Sequence, residues 1–169
     1  MDIRQMKMKD LVKVRDLEIL CIREYFSKEI ENKWDDLPKE WKDGLGASTP
    51  RSFMAYTESG LSFVAEEDGE IVGFIFAQTL HHVYNVENMV WIENMGVHEY
   101  FRRLGLGYRL LTSVLDEGRR KGATVAHSAI QPDNVRSIML HKKAGFFIDR
   151  REVALIDLTE KKKVVGRPA

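Results

Sequence analysis

Cysteine is nearly absent from this sequence: Cys21 stands alone among 169 residues, and prolines number only four. A single cysteine excludes an internal disulfide framework and a cysteine-rich metal site, and it suits a reducing, cytoplasmic compartment. The expected place for Cys21 is as a small buried hydrophobe. Charge of one sign is also lacking, with 26 Lys+Arg set against 26 Asp+Glu. That balance argues against a nucleic-acid or membrane-surface role driven by bulk electrostatics. No apolar run approaches the ~20 residues that cross a bilayer. The opening MDIRQMKMKD has no signal-type apolar segment. Repeats and low-complexity linkers are missing as well. The length allows one good core and not two comfortable domains. We therefore expect a single domain over residues 1–160, monomeric or homodimeric. The tail 161–169, opened by Lys161-Lys162-Lys163, is expected to fray.

What is present is concentrated in residues 89–121. A β-branched and aromatic run ends at Val97, and Arg102-Arg103-Leu104-Gly105-Leu106-Gly107 follows. Leu106, Leu110, Leu111, Val114 and Leu115 then set out an amphipathic helix. A strand that feeds through a basic, glycine-punctuated turn into a helix N-terminus suits a diphosphate. The first-turn N–H groups lack intrahelical partners, and the helix dipole adds partial positive charge. Gly105 and Gly107, with no Cβ, let the backbone approach an anion. The turn is neither of two common nucleotide motifs. Leu110 stands where the dinucleotide fingerprint needs its third glycine, and Tyr108-Arg109 follow Gly107 where a P-loop needs Lys-Ser/Thr.

Arg102-x-x-Gly105-x-Gly107 after a strand resembles the acetyl-CoA signature of the GNAT family of N-acetyltransferases. A second segment, TVAHSAIQPDNVRSIMLHKKAGFF over 124–147, resembles that family's second cofactor segment. There Asn134 opens a helix, Ser137 takes the place of a small residue, and Gly145-Phe146 close it. Asn134 is also a sound N-cap and Gly145 a sound C′ residue on physical grounds alone. The resemblance covers about residues 61–147, and the first sixty residues match in outline only.

The rest of the chain reads as alternating elements. Residues 2–7 suit a strand, and a helix follows Asp10, a candidate N-cap, with Leu11, Val14, Leu17, Cys21 and Tyr25 on one stripe. Residues 32–60 are mixed. A hairpin joins 61–67 to 70–79 across Asp68-Gly69. Strand 89–97, helix 105–121, strand 124–131, helix 134–144 and strand-like runs at 146–149 and 152–158 complete the order. The resemblance implies a mixed α+β GNAT-like fold. Its central, twisted, mostly antiparallel sheet of about seven strands would be flanked by helices, with two central strands splayed to admit the pantetheine arm.

Acetyl transfer to an amine sets the chemical requirements. An alkyl amine, pKa ~10.4, must lose a proton before it attacks, so a base is needed. The tetrahedral oxyanion needs a donor, and the departing thiolate benefits from a proton. Alternation along 91–97 predicts Trp91, Glu93, Met95 and Val97 on one strand face. Glu93 coincides with a carboxylate that some family members are thought to use as base, while Tyr84 and His127 are weaker candidates. The resemblance implies that the main chain at Met95 and Val97 pairs with the pantetheine, with the Val97 N–H as oxyanion donor. It further implies that the backbone of Arg102, Arg103, Leu104, Gly105, Leu106 and Gly107 holds the pyrophosphate, and that Asn134 and Ser137 lie near the cofactor. One of the two arginines is expected to be solvated or bound to a carboxylate.

The sequence departs from the family at His141, where a Tyr often protonates the leaving thiolate. Imidazolium, with an unperturbed pKa of ~6.5, is a stronger acid than phenol but scarcer at neutral pH. No metal site is expected, since His81 and His82 lack further ligands at suitable spacing. The acceptor, a small-molecule or peptide amine, is expected to meet residues 21–60 and 80–88. There Glu29, Glu31, Asp35 and Asp36 offer negative charge. The alternative is a catalytically weak domain that binds acetyl-CoA as a sensor or subunit.

Overall fold

The computed structural model describes residues 1–29, 34–39, 42, 45–151 and 154. Five strands form one sheet in sequential order: β1 (Asp2–Gln5), β2 (Phe63–Glu67), β3 (Glu70–Val83), β4 (Val86–Val97) and β5 (Val125–Ser128). Neighbours from β1 to β4 are antiparallel, and β5 joins β4 in parallel. Among the described residues four α-helices flank the sheet: α1 (Leu11–Glu29), α2 (Pro50–Ser59), α3 (Leu106–Arg120) and α4 (Val135–Lys143).

Each face of the sheet is covered by helices, and the α1 and α3 stripes read from the sequence supply part of each core. Phe63, Ala65, Val72, Ile75, Ala77, Val90 and Ile92 pack against Leu106, Leu110, Leu111 and Val114 of α3. On the opposite face Val64, Ile71, Phe74 and Phe76 meet Val14 and Leu17 of α1 and Phe53 and Tyr56 of α2. Each fully buried Val, Leu, Ile or Phe among them contributes ~1.5–3 kcal/mol of transfer free energy. The stripe on α3 recurs at intervals of four, one and three residues, the spacing of one helical face.

Local chemistry places the boundaries. Asp68 (φ 50°) and Gly69 (φ 81°) make the left-handed pair of a tight hairpin, as the dipeptide predicts. Thr49 caps α2 by accepting from the Ser52 N–H, with Pro50 in the first turn. Asp10 does not cap α1. Its carboxylate accepts from the Lys7 N–H at 2.9 Å and pairs with Arg4, closing a 3-10 turn over Met8–Asp10. The β3–β4 hairpin is longer than its sequence suggests, running through His81 and Val83 to a turn at Tyr84-Asn85, both at positive φ. Residues 80–83 thus belong to a strand arm and not to a loop. Among the described residues the sheet has five strands. Residues 146–149 carry no strand, because after Gly145 (φ 93°) the chain pairs with none of the five. The run 152–158 falls almost wholly outside the described residues, as does the tail 161–169.

Candidate active site

The parallel pairing of β4 with β5 is short. Met89 to Ile92 pair with Val125 to Ser128, and β4 then runs on to Val97 with only β3 beside it. The His98 N–H donates to the Val72 carbonyl at 2.9 Å. Antiparallel alternation therefore turns the main-chain groups of Met95 and Val97 away from β3, toward the side that β5 has left. Pairing with β5 thus stops at Ile92, which leaves a gap beside residues 93–97 among the described residues. Helices α3 and α4 converge at its mouth: a Cβ on Gly107 would lie 3.4 Å from Leu140 Cδ2, 3.7 Å from Met95 Cε and 3.9 Å from Val97 Cγ2.

Two of the outward main-chain groups already have partners. The Met95 N–H donates to the Asn94 side-chain oxygen at 2.8 Å, and the Val97 carbonyl accepts from Arg102 Nε at 2.8 Å. The Met95 carbonyl and the Val97 N–H complete the outward set.

The turn 102–107 divides the labour of its two arginines. Arg102 is half-buried, and its terminal nitrogens grip both Glu24 oxygens of α1, which raises its pKa further. Arg102 is thus the arginine bound to a carboxylate, and it works as a strut between turn and helix. Arg103 is exposed at φ 63°. Leu104 is 57% exposed, whereas Leu106 anchors the helix start in the core at 1%. Gly105 sits at the N-cap with φ 77°, and a Cβ there would meet nothing within 4 Å. Its surroundings are open, so glycine is required by conformation and not by space. The N–H groups of Leu106, Gly107 and Tyr108 lie in the first turn of α3, ahead of any intrahelical acceptor.

Glu93 departs from the alternation predicted for 91–97. Ile92 pairs with Ala77 and Asn94 with Phe76, so Glu93 is the extra residue of a β-bulge. The bulge inverts the facing. Val90 and Ile92 pack on the α3 side before it, and Met95 and Val97 pack there after it. Glu93 shares the opposite face with Trp91, whose indole N–H donates to its carboxylate at 2.6 Å. The Tyr56 hydroxyl of α2 is near enough to feel that charge: burial first, then Glu93 and Glu18, push its pKa up to about 12. Trp91 stacks on His127 with ring centroids 5.0 Å apart, and Tyr84 stacks on His127 at 6.2 Å. Glu93, Tyr84 and His127 thus lie along one aromatic surface.

On α4, Asn134 is an N-cap whose side chain accepts from the Ser137 N–H at 3.1 Å. His141 is buried at 1% exposure, edge-on to Phe146. Its Nδ1 lies 2.8 Å from the Ser137 carbonyl, which can only accept, so Nδ1 carries the proton and Nε2 is the acceptor. Nε2 is buried with no partner among the described residues. Burial also lowers the His141 pKa below its ordinary value, against a smaller opposing pull from the Ser137 carbonyl. The ring is therefore neutral near pH 7, an acceptor at Nε2 and not an imidazolium donor. Cys21 packs beneath β4, its Sγ 4.0 Å from the Val97 carbonyl, and burial pushes its thiol up to about 11. Among the described residues no group of three or more His, Cys, Asp or Glu is placed to hold a metal, and no helix is long and apolar enough to cross a membrane.

The family described as "Protein of unknown function (DUF1999)" matches residues 1–167. The chain belongs to this family. Its fold is that of the GNAT acetyltransferases. The DUF1999 chain superimposes on the aminoglycoside N-acetyltransferase AAC(6')-Iy, solved with a bisubstrate analog, with a TM-score of 0.68 at 24% identity, over 92% of this chain and 97% of that one. It is 29% identical over 119 residues to the L-methionine sulfoximine/L-methionine sulfone acetyltransferase of Salmonella typhimurium, 68% of this chain and 64% of that protein. It is 32% identical over 88 residues to an aminoglycoside N(6')-acetyltransferase type 1 of the same organism, covering 50% and 61%. The DUF1999 chain thus spans under two thirds of the length of these curated relatives.

Three residues of the site are not singled out by sequence. Glu24 and Glu18 read as ordinary acidic positions on α1, and Asn94 as a polar interruption of a strand. A weak signal was there: Glu18 and Glu24 flank Cys21 on or near the apolar stripe, where a carboxylate needs a partner if it is buried.

Proposed function

We propose that this protein transfers the acetyl group of acetyl-CoA to a primary amine by direct attack. The observation that carries this reading is the parting of β4 from β5 after Ile92, with the 102–107 turn at the mouth of the gap. A pantetheine arm is a strand-like chain of amides. The outward Met95 carbonyl and Val97 N–H offer one acceptor and one donor on the side β5 has vacated. The pyrophosphate suits the open first turn of α3 and the backbone from Arg102 to Gly107, with Arg103 free to lend charge while Arg102 holds the turn's shape. Asn134 and Ser137 open α4, the helix whose Leu140 reaches the Gly107 position at this gap.

The acceptor approaches from the α1/α2 face, where Glu93 is bulged out of the strand beside the Tyr84–His127–Trp91 surface. Glu93 takes the proton that the ammonium must lose, directly or through water. The amine nitrogen then bonds to the thioester carbon, the Val97 N–H supports the oxyanion, the nitrogen gives up its second proton to water, and the carbon–sulfur bond breaks to release the amide and CoA thiolate. His141, neutral with an acceptor Nε2, is a poor source of the thiolate's proton. A leaving group with a thiol-like pKa of ~8.5 can depart as thiolate and be protonated by water. Aromatic faces attract cations, so the stack favours an acceptor that carries its positive charge next to apolar surface. The domain is taken to be residues 1–160.

Thermal unfolding in the presence of acetyl-CoA, CoA, ATP and NAD tests the binding half. Acetyl-CoA and CoA at about a hundred times Kd should each stabilise by ~2.7 kcal/mol, while ATP and NAD should not. Gly107→Val drives a branched side chain between Leu140, Met95 and Val97 and should weaken acetyl-CoA binding about tenfold or more, ~1.4 kcal/mol. Unchanged affinity in the folded variant removes the site from this turn. Tight acetyl-CoA binding with no turnover on any amine would mark the protein as a sensor.

A further inference from the structure

Glu18 is the one acidic residue of α1 that is wholly buried, at 0% exposure among the described residues. Its carboxylate is fully used. Oε1 accepts from the Ala47 N–H at 2.8 Å and from Asn94 Nδ2 at 2.7 Å. Oε2 accepts from the Ser48 N–H at 3.0 Å and from the Ser48 hydroxyl. Four donors from two distant segments thus converge on one ionised group. Removing a buried charge's partners is costly, so each segment is held where it is.

The loop has been fitted around this carboxylate. Gly46 lies at φ 88°, and a Cβ there would stand 2.7 Å from Glu18 Oε2. A side chain at position 46 is therefore disfavoured twice, by conformation and by space. On the strand side, Asn94 spends its amide group on Glu18 and its oxygen on the Met95 N–H. Asn94 is also the residue immediately after the bulge that presents Glu93. The chain of contacts runs from the loop before α2, through Glu18, to the bulge and then to the strand that lines the splay.

We propose that Glu18 is a positioning residue for acetyl transfer: by clamping Asn94 it fixes the bulge, and so aims the Glu93 carboxylate and sets the main chain at Met95. This rests on the acetyl-transfer reading above. The same clamp ties residues 47–48 to β4, so the loop that precedes α2 and the reacting strand are held in one register. A misplacement of about 1 Å at a reacting group can cost ~10²-fold in rate. The part of Glu18 in catalysis is geometric, and Glu18 does not itself touch substrate.

The test separates aim from mere stability. Glu18→Gln keeps the shape but points an amide N–H at two of the four donors. In the folded variant kcat with an accepted amine should fall ~10- to 100-fold, while Kd for acetyl-CoA stays within about threefold. Asn94→Ala should give a similar loss, and the double variant should be no slower than the worse single one, because both break one link. Wild-type kcat in folded Glu18→Gln, or losses that multiply in the double variant, would overturn the proposal. Should Glu18→Gln fail to fold, Asn94→Ala alone decides: a folded protein with wild-type kcat overturns it. Failure of the underlying reading looks different: the wild type itself would then show no amine-dependent turnover, or, if only the base is misassigned, Glu93→Gln would turn over normally whatever Glu18→Gln does.

Discussion

At the scale of single residues, the site is defined by what each polar group is already bound to. Arg102 and Arg103 are adjacent and chemically alike, yet Glu24 claims the first and leaves the second at the surface. His141 stands where a Tyr is expected, and its tautomer follows from one contact, Nδ1 to the Ser137 carbonyl. That burial has a consequence for stability. The folded-state pKa of His141 is lowered, so between the folded and unfolded values the unfolded chain binds more protons. The stabilising contribution is fully present above the unfolded pKa of ~6.5 and is lost as pH falls through the folded value. Urea unfolding of the wild type should therefore show stability declining below about pH 6.5, and His141→Phe, which keeps an apolar ring, should flatten that decline. Equal slopes for the two proteins would show that His141 is not buried neutral.

At the scale of elements, most of the architecture was legible. Asp68-Gly69 announced its hairpin, the Leu106–Leu110–Leu111–Val114 stripe announced α3, and Asn134 announced the start of α4. Alternation fails at two places, Val72 in β3 and Glu93 in β4, and the second is chemical: the bulge at Glu93 inverts the strand's facing. Sequence period cannot show an inserted residue, because the pattern on either side of it remains a valid strand. The Tyr84-Asn85 turn was missed for a different reason. Tyr84, a bulky residue at φ 51°, is an uncommon occupant of a left-handed turn, so nothing marked the tip of the long β3–β4 arm. The Glu18 clamp was invisible because three of its donors lie in a loop of mixed composition about thirty residues away in sequence, and the fourth, Asn94, lies on β4. Element packing also yields a prediction. Helix α3 comes close to β4 at Gly118, where an added Cβ would sit 2.5 Å from Val90 Cγ2. Alanine is ordinarily the better helix former by ~1 kcal/mol. Here, overpacking against a stiff β-branched side chain should win, so Gly118→Ala should lower stability by ~1–2 kcal/mol net. Denaturant midpoints decide it, and a stabilised variant would mean that α3 can shift away from the strand.

At the scale of the whole molecule, the two faces of the sheet do different work. The α3 face anchors the turn that suits a pyrophosphate, and the α1/α2 face carries Glu93, its aromatic neighbours and the Glu18 clamp. In the proposed reaction, the gap beside β4 beyond its pairing with β5 is the passage through which a thioester from one side meets an amine from the other. Amine-dependent release of free thiol from acetyl-CoA measures that meeting most directly. With a panel of peptide, polyamine and amino-sugar acceptors, the account predicts thiol release that requires one class of amine. It should fall ~10²–10⁴-fold in Glu93→Gln while acetyl-CoA still binds. Release that is independent of any amine, or undiminished in Glu93→Gln, would contradict it.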